Sequence, residues 1–150
     1  MRNNTYLDEI TSDLRSAAKN GTLLSSTNGK RFNWVLRKDL ALANATVLTE
    51  ENHKNKIYEL IRSTSITYPE IASVLSRILG EEISYKASPS DLTIETLKDS
   101  GVNDTVAYFL VTTFHKAIAD GNFLTTSQDL EHLLGDQLTS LDKSIEALLL

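Results

Sequence analysis

The stretch KIYELIRSTSITYPEIASVLSRILGEEISY, from Lys56 to Tyr85, determines the fold prediction. Thr67, Pro69 and Glu70 form a helix start: a Thr cap, a Pro in the first turn, and a Glu three residues after the cap that can reach back to the cap amide. Gly80 lies where a helix ends in a left-handed residue. Between these ends, apolar residues recur at helical spacing and predict a core-facing stripe: Ile71, Val74, Leu75, Ile78 and Leu79.

Two candidate strands flank this helix. The apolar run Ile57–Ile61 precedes it, and Ile83–Lys86 follows its terminal glycine. A strand, a helix and a strand with short connections are typical of a right-handed crossover between parallel strands, or of a small α/β layer. The pattern predicts architecture and carries no chemistry.

Apolar spacing and capping residues predict further elements along the chain. The predicted helices are Tyr6–Lys19, a largely buried Asp39–Glu51, one capped by Ser88 or Ser90, Asp104–Asp120 after its cap Asn103, and two short helices capped by Thr126 and Thr139. Thr22–Ser26 is predicted to be extended, and Phe32, Trp34 and Leu36 alternate as in a strand with one buried face. The fold class predicted is α/β, helix-rich with a few short, partly parallel strands, in one domain of residues 1–150.

Composition and charge limit the possible binding partners and the cellular compartment of the protein. Hydrophobic residues make up 41% and charged residues 23%, as in ordinary soluble proteins. The formal net charge of −5 disfavours nucleic acid and anionic membranes as partners, because both reward a clustered basic surface. Without cysteine the chain has no disulfide or thiolate chemistry. The start MRNNTYLDEI lacks an apolar signal core and no apolar run reaches the roughly 20 residues of a membrane span, so a cytoplasmic protein is expected.

Motifs for catalysis or metal binding are missing. The six glycines are isolated at the ends of helices or turns, so there is no glycine-rich phosphate loop. His53, His115 and His132 have no metal-ligand spacing, and His115 is predicted to lie on the outer edge of its helix; no metal is expected. Five aromatic residues can line a pocket, although core packing is the commoner role for each: Phe32, Trp34, Tyr108, Phe109 and Phe114.

Short motifs along nearly the whole chain together resemble one family. They are Met1–Tyr6 (MRNNTY), Arg37–Ala41 (RKDLA), His53 and Lys56 before Tyr58-Glu59-Leu60, Thr67–Ala72 (TYPEIA), Gly80–Tyr85 (GEEISY) and Thr126–Ile145. In this order and spacing they resemble the C-terminal half of the NmrA-like proteins, which are atypical relatives of the short-chain dehydrogenases. The likeness is greatest to type 2 NAD(P)H:quinone oxidoreductases and triphenylmethane-reductase-like enzymes.

The resemblance implies a cofactor site outside this chain. In the family, the N-terminal half carries the glycine-rich turn that binds the dinucleotide pyrophosphate, and this chain begins after it. NAD(P)H is therefore the family's cofactor, and none is expected for this chain alone. By position, the resemblance places Asn3 and Tyr6 near a nicotinamide or substrate and implies no catalytic residue. Arg2 and Asp39 also match, in the role of an ion pair or helix cap.

Two functional interpretations follow from the resemblance. In the first, the chain is a truncated or partial NmrA-like NAD(P)H-dependent oxidoreductase, similar to quinone reductases, which contributes the substrate lobe and is inactive alone. In the alternative, it is a non-catalytic association or regulatory module that forms a homo-oligomer or pairs with a chain bearing the missing Rossmann half. Sheet edges and apolar surface left uncovered would favour such association.

Overall fold

A computed structural model describes all 150 residues, from Met1 to Leu150. The strands are β1 (Arg2–Asn3), β2 (Thr22–Ser25), β3 (Glu59–Leu60) and β4 (Ser84–Ala87). The helices are α1 (Thr11–Asn20), α2 (Arg37–Thr49), α3 (Tyr68–Leu79), α4 (Ser90–Asp99), α5 (Asp104–Phe109), α6 (Lys116–Ala119), α7 (Asp129–Leu134) and α8 (Leu141–Leu149). Two 3₁₀ turns, Leu7–Ile10 and Gly135–Gln137, and a π-helical segment, Leu110–His115, complete the order. The predicted class, helix-rich with few short strands, is confirmed.

The four strands form two separate parallel pairs. β1 pairs with β3, with Arg2 opposite Glu59, and β2 pairs with β4, with Thr22 opposite Ser84. The predicted crossover that joins β3 directly to β4 is therefore wrong. Leu60 packs in a small apolar cluster with α2 and α7, whereas Ile83 belongs to the larger core around α1, α3 and α8. β3 and the residue just before β4 are therefore buried in two different apolar clusters.

Helix α3 forms as its sequence predicts. The Thr67 hydroxyl accepts from the Glu70 amide, and the Glu70 carboxylate accepts from the Thr67 amide at 2.7 Å, which completes the capping box. Arg31 donates to the same carboxylate at 3.0 Å. At the other end, Gly80 has a φ of +70° and its amide donates to the Ser76 carbonyl. Local hydrogen bonds thus define both ends of α3.

The segment Phe32–Leu36 is not the predicted strand. All five of its residues are buried, and it makes only isolated bridges, from Val35 to Tyr6 and from Phe32 to Ile66. The segment runs between other parts of the chain, and both of its faces are covered. An alternating pattern predicts one buried face, so the prediction failed because the second face is also buried.

Three further predictions are corrected. Helix α2 is not largely buried, since Leu48 is 80% exposed and only Asp39, Leu40 and Ala43 are buried. Thr126 does not cap α7, because Ser127 accepts the Asp129 amide instead. Thr139 does not cap α8: Ser140 does, while the Thr139 hydroxyl donates to Asp39 at 2.7 Å. No helix has the length and apolar character of a membrane span.

Candidate functional site

A pocket of about 460 Å³ lies beside the carboxyl end of β1. Its lining is half-apolar and comes from two regions that are distant in sequence. One region is the segment that follows β1, and the other is the helix from α5 to α6 together with the loop after it. The lining residues are Asn3, Asn4, Thr5, Tyr6, Glu9, Phe109, Thr113, Phe114 and Phe123. The pocket is large enough for a small organic ligand.

Main-chain hydrogen bonds hold the segment that follows β1. The Leu7 amide donates to the Val35 carbonyl at 2.9 Å, and the Val35 amide donates to the Thr5 carbonyl at 3.0 Å. The Asn4 side chain accepts from the Thr5 amide at 2.8 Å and from the Thr5 hydroxyl at 3.0 Å. The backbone between Asn4 and Leu7 is thereby fixed against Val35.

Tyr6 is held by the start of α2. The Arg37 guanidinium lies 5.0 Å from the centroid of the Tyr6 ring and forms an ion pair with Glu9. The Arg37 amide, in the first turn of α2, donates to the Asp8 carboxylate at 3.0 Å. The Arg37 cation over the Tyr6 ring and the ion pair of Arg37 with Glu9 together fix this side of the pocket.

Three phenylalanines form the opposite side, which we call the aromatic wall: Phe109, Phe114 and Phe123. The rings of Phe114 and Phe123 lie 5.7 Å apart, and Phe109 is 53% exposed. Buried Asn33 positions the loop that carries Phe123. Its amide donates to the Phe123 carbonyl at 2.9 Å, and its side-chain oxygen accepts from the Thr125 amide at 2.9 Å.

The structure brings the two sequence-predicted residues, Asn3 and Tyr6, into one pocket. Their side-chain amide and hydroxyl hydrogen-bond no other group of the chain, in contrast to the neighbouring Asn4, which binds Thr5. A half-apolar pocket with two free polar groups at one side can bind a ring that carries a carbonyl or hydroxyl.

Other candidates have structural positions. Arg2 forms an exposed ion pair with Glu59 at 3.2 Å, and Asp39 binds Thr139 instead of capping its own helix. Phe32 and Trp34 are core residues, and Tyr108 is 64% exposed outside the pocket. Sequence reasoning missed Glu9, Thr113 and Phe123. Glu9 follows the motif Met1–Tyr6 but is not part of it, and only the fold brings Thr113 and Phe123 to Asn3.

His115 was predicted at the outer edge of its helix, and this is wrong: it is fully buried. Its Nε2 lies 2.9 Å from the Asp13 carboxylate and 2.8 Å from the Tyr68 hydroxyl. The Tyr68 hydroxyl also donates to Asp13 at 2.7 Å. Burial, and then the charge of Asp13, raise the pKa of Tyr68 well above its ordinary value, so the hydroxyl keeps its proton. No group of three or more His, Cys, Asp or Glu side chains that could hold a metal ion is found in the chain.

The residues present do not fit the pyrophosphate of a dinucleotide. Such a site needs several glycine amides at a strand-to-helix turn, so that the backbone can approach the phosphates. The glycines here are single and stand at separate turns and helix ends. The lining of the pocket beside Asn3 contains no glycine, so it offers no phosphate cradle of this kind.

Known proteins match the chain over almost its whole length. It is 26% identical to quinone oxidoreductase 2 of Escherichia coli over 148 residues, and this match covers 99% of this chain and 51% of that protein. The structure superimposes on the triphenylmethane reductase of Citrobacter sp. with a TM-score of 0.88, at 32% identity, over 99% of this chain and 51% of that one. It also superimposes on the NADPH complex of the E. coli quinone oxidoreductase with a TM-score of 0.81, at 25% identity, over 98% of this chain and 52% of that one.

The chain therefore spans about half the length of the relatives that it matches. No model of a protein family matches it. Structures of both reductases exist with NADP(H) bound, so the cofactor belongs to those relatives in their full length. The sequence and the fold of this chain are therefore similar to about half of each of these reductases, and this similarity fits the C-terminal half of an NmrA-like protein.

Proposed function

We propose that the chain is the substrate lobe of an NAD(P)H-dependent reductase similar to the quinone oxidoreductases, and that the pocket beside β1 binds the electron acceptor. The observation that carries this proposal is the shared position of Asn3 and Tyr6. The family resemblance points to both residues, and both line one pocket with the aromatic wall. The relatives' names, quinone oxidoreductase and triphenylmethane reductase, point to acceptors that contain conjugated rings.

The lining suits a planar acceptor with polar edges. The rings of Phe109, Phe114 and Phe123 offer apolar contact to a flat molecule. The Asn3 amide can donate to a quinone carbonyl, and the Tyr6 hydroxyl can do the same. Arg37 holds the Tyr6 ring and pairs with Glu9, so its charge is already compensated in the absence of an anion. A neutral, ring-shaped ligand is therefore preferred.

A titration with menadione, a small neutral naphthoquinone, tests the proposal. In ¹⁵N-correlated NMR spectra we expect the amide shifts of Asn3, Tyr6 and Thr113 to move saturably. Tyr6→Phe removes only the hydroxyl and should weaken binding about threefold to tenfold, the value of one ordinary hydrogen bond. Tyr108→Phe is the matched control, since Tyr108 is exposed and outside the pocket. Shifts scattered over the surface, or equal affinities of both variants, would contradict the proposal.

The proposal also holds that the chain is inactive alone, because it lacks a fit for the dinucleotide phosphates. We expect no NADPH consumption above background when NADPH and menadione are mixed with the chain. Turnover at enzyme-like rates would overturn this part. Addition of the N-terminal half of the E. coli quinone oxidoreductase as a separate polypeptide is the positive arm, in which consumption should appear if the halves assemble.

A second candidate function is association, through the sheet formed by β1 and β3. β1 has one strand neighbour, and the adjacent apolar side chains of Met1 and Ile57 are 51% and 68% exposed. An uncovered strand beside apolar side chains favours pairing with another chain. Sedimentation at several concentrations should show self-association that Ile57→Lys reduces and Leu92→Lys, on exposed α4 surface, does not. A strict monomer at all concentrations would count against self-assembly.

A further inference from the structure

Asp13, Tyr68 and His115 form a closed cluster of polar side chains inside the core. Each is at most 2% exposed, and the three come from α1, α3 and the π-helical segment. All three mutual distances, between Asp13 Oδ2, Tyr68 Oη and His115 Nε2, are 2.7–2.9 Å. The second carboxylate oxygen of Asp13 has no partner. Because an uncompensated buried carboxylate is costly, these contacts must persist together.

The proton arrangement of His115 follows from its other neighbour. The Ser26 amide points at His115 Nδ1 at 3.4 Å, so Nδ1 is the acceptor and Nε2 carries the ring proton. That proton faces Asp13. Every polar atom of the imidazole ring is thus matched, and the ring has one orientation.

The π-helical segment is what brings His115 inward. The Lys116 amide donates to the carbonyl of Val111, five residues back, as in a π-turn. In an unbroken α-helix, at about 100° per residue, His115 would lie about 80° around the helix from buried Ala107. The π-turn winds less per residue and places His115 opposite Asp13. π-turns are rare, because their winding is less favourable than that of an α-helix. The contacts of the cluster offset this cost in the segment Leu110–His115.

The cluster is connected to the pocket by a row of aromatic rings. Tyr68 lies 6.1 Å from Phe32, Phe32 lies 6.1 Å from Phe114, and Phe114 lies 5.7 Å from Phe123. Phe114 is also the residue before His115, and with Thr113 it lines the pocket. A change from π to α winding would turn Thr113 and Phe114 away from Asn3 and Tyr6.

We propose that Asp13, Tyr68 and His115 are positioning residues, which hold the π winding of Leu110–His115 and thereby set the aromatic wall of the pocket. The proposal rests on the proposed function for the role of the pocket, but its structural part stands apart from any ligand. It assigns a site-shaping task to three residues that never touch the bound acceptor.

The experiment uses three variants of the cluster and one control variant, with two independent readouts. His115→Leu removes the ring proton that faces Asp13, and His115→Gln restores a donor at a similar reach. Tyr68→Phe keeps the ring volume and removes only the shared hydroxyl. Lys116→Gln is the control, because Lys116 is exposed and pairs only with Asp120. NMR couplings across the hydrogen bonds of residues 110–116 identify whether each amide donates four or five residues back, and menadione titration reports the pocket.

We expect His115→Leu and Tyr68→Phe to shift the acceptors to four residues back and to weaken menadione binding about tenfold, as when about one molecule in ten keeps the competent winding. His115→Gln should recover most of both signals, and Lys116→Gln should change neither. If His115→Leu does not fold, Tyr68→Phe decides. Unchanged winding in the variants, or lost winding with unchanged affinity, overturns the inference. If the unmodified chain binds no menadione, the proposed function fails, while the winding readout still decides the structural part.

Discussion

Helix α3 and the helix from α5 to α6 differ in where their stabilising contacts come from. The ends of α3 are fixed by neighbours in sequence: Thr67 and Glu70 at the start, and Gly80 at the finish. The middle of the α5–α6 helix is fixed by Asp13, which is 102 residues away from His115 along the chain. The first helix is determined locally, and the winding of the second is determined by the assembled core.

The difference has a functional side. α3 packs into the core and contributes no residue to the pocket, whereas the π-helical segment contributes Thr113 and Phe114. Of the two helices compared, the one that lines the pocket is thus the one that is held by a distant contact. Departures from regular winding commonly accompany functional sites, and the π-helical segment therefore agrees with the proposal that this pocket binds an acceptor.

The largest effect on this comparison is expected from Asp13→Ala. The change removes the acceptor of the buried Tyr68 hydroxyl and leaves the His115 ring proton with the Tyr68 oxygen alone. Loss of one member of such a cluster costs about 3 kcal/mol or more. Urea unfolding measures the loss. Asp142→Ala is the control, since Asp142 forms an ion pair with Arg77 in which both side chains are more than half exposed. That change should cost less than about 1 kcal/mol. Equal losses would show that the cluster adds nothing beyond surface pairing.

The success of sequence prediction follows the same division. The start and end of α3 could be predicted to the residue, because their hydrogen bonds join positions three to four apart. The burial of His115 could not be predicted, because regular helical spacing puts it at the edge of the apolar stripe. The pairing of β3 with β1 could not be predicted for a different reason: two-residue strands such as Glu59–Leu60 carry too little pattern to specify a partner.

The candidate site divides in the same way. Asn3 and Tyr6 could be predicted because both belong to the six-residue motif Met1–Tyr6, which carries a family resemblance, and both line one pocket in the structure. Their partners Thr113 and Phe123 lie more than a hundred residues further on, where no motif marks them. Phe109 and Phe114 were two of five aromatic candidates in the sequence, and the fold is required to show that they, and not Phe32, Trp34 or Tyr108, line the pocket.

The next effect concerns the end of α3. Gly80 has a φ of +70°, and an added Cβ would meet nothing within 4 Å. Gly80→Ala should therefore lower the free energy of unfolding by about 1 kcal/mol through backbone conformation alone. Gly80→Asn should recover most of this, since Asn adopts the left-handed region more readily. A loss as large as that of Asp13→Ala would place α3 in the same class as the π-helical segment and break the comparison.

The start of α3 should respond to Thr67→Ala by about 1 kcal/mol or slightly less, the usual value of an N-terminal cap. The hydroxyl accepts the Glu70 amide at 3.3 Å, which is a long bond, so the low end of the range is expected. Thermal unfolding provides the measurement, with Ser73→Ala on the exposed face of α3 as the control. Because the cap is local, NMR shifts should change around Thr67 and leave Thr113 and Phe114 unaffected.

The smallest effect is the pH dependence contributed by Glu70. Burial raises the pKa of this carboxyl, but hydrogen bonds from Thr67 and Arg31 outweigh burial, and the net pKa lies below the ordinary value of 4.5. A carboxyl with a lowered pKa in the folded state stabilises the protein above pH 4.5, and the contribution disappears as the pH falls through the folded value. Since the side chain is 47% exposed, the contribution is a few tenths of a kcal/mol. Urea unfolding from pH 7 to pH 3 should show a slightly shallower loss for Glu70→Gln than for the unmodified chain, and a steeper loss would contradict the assignment.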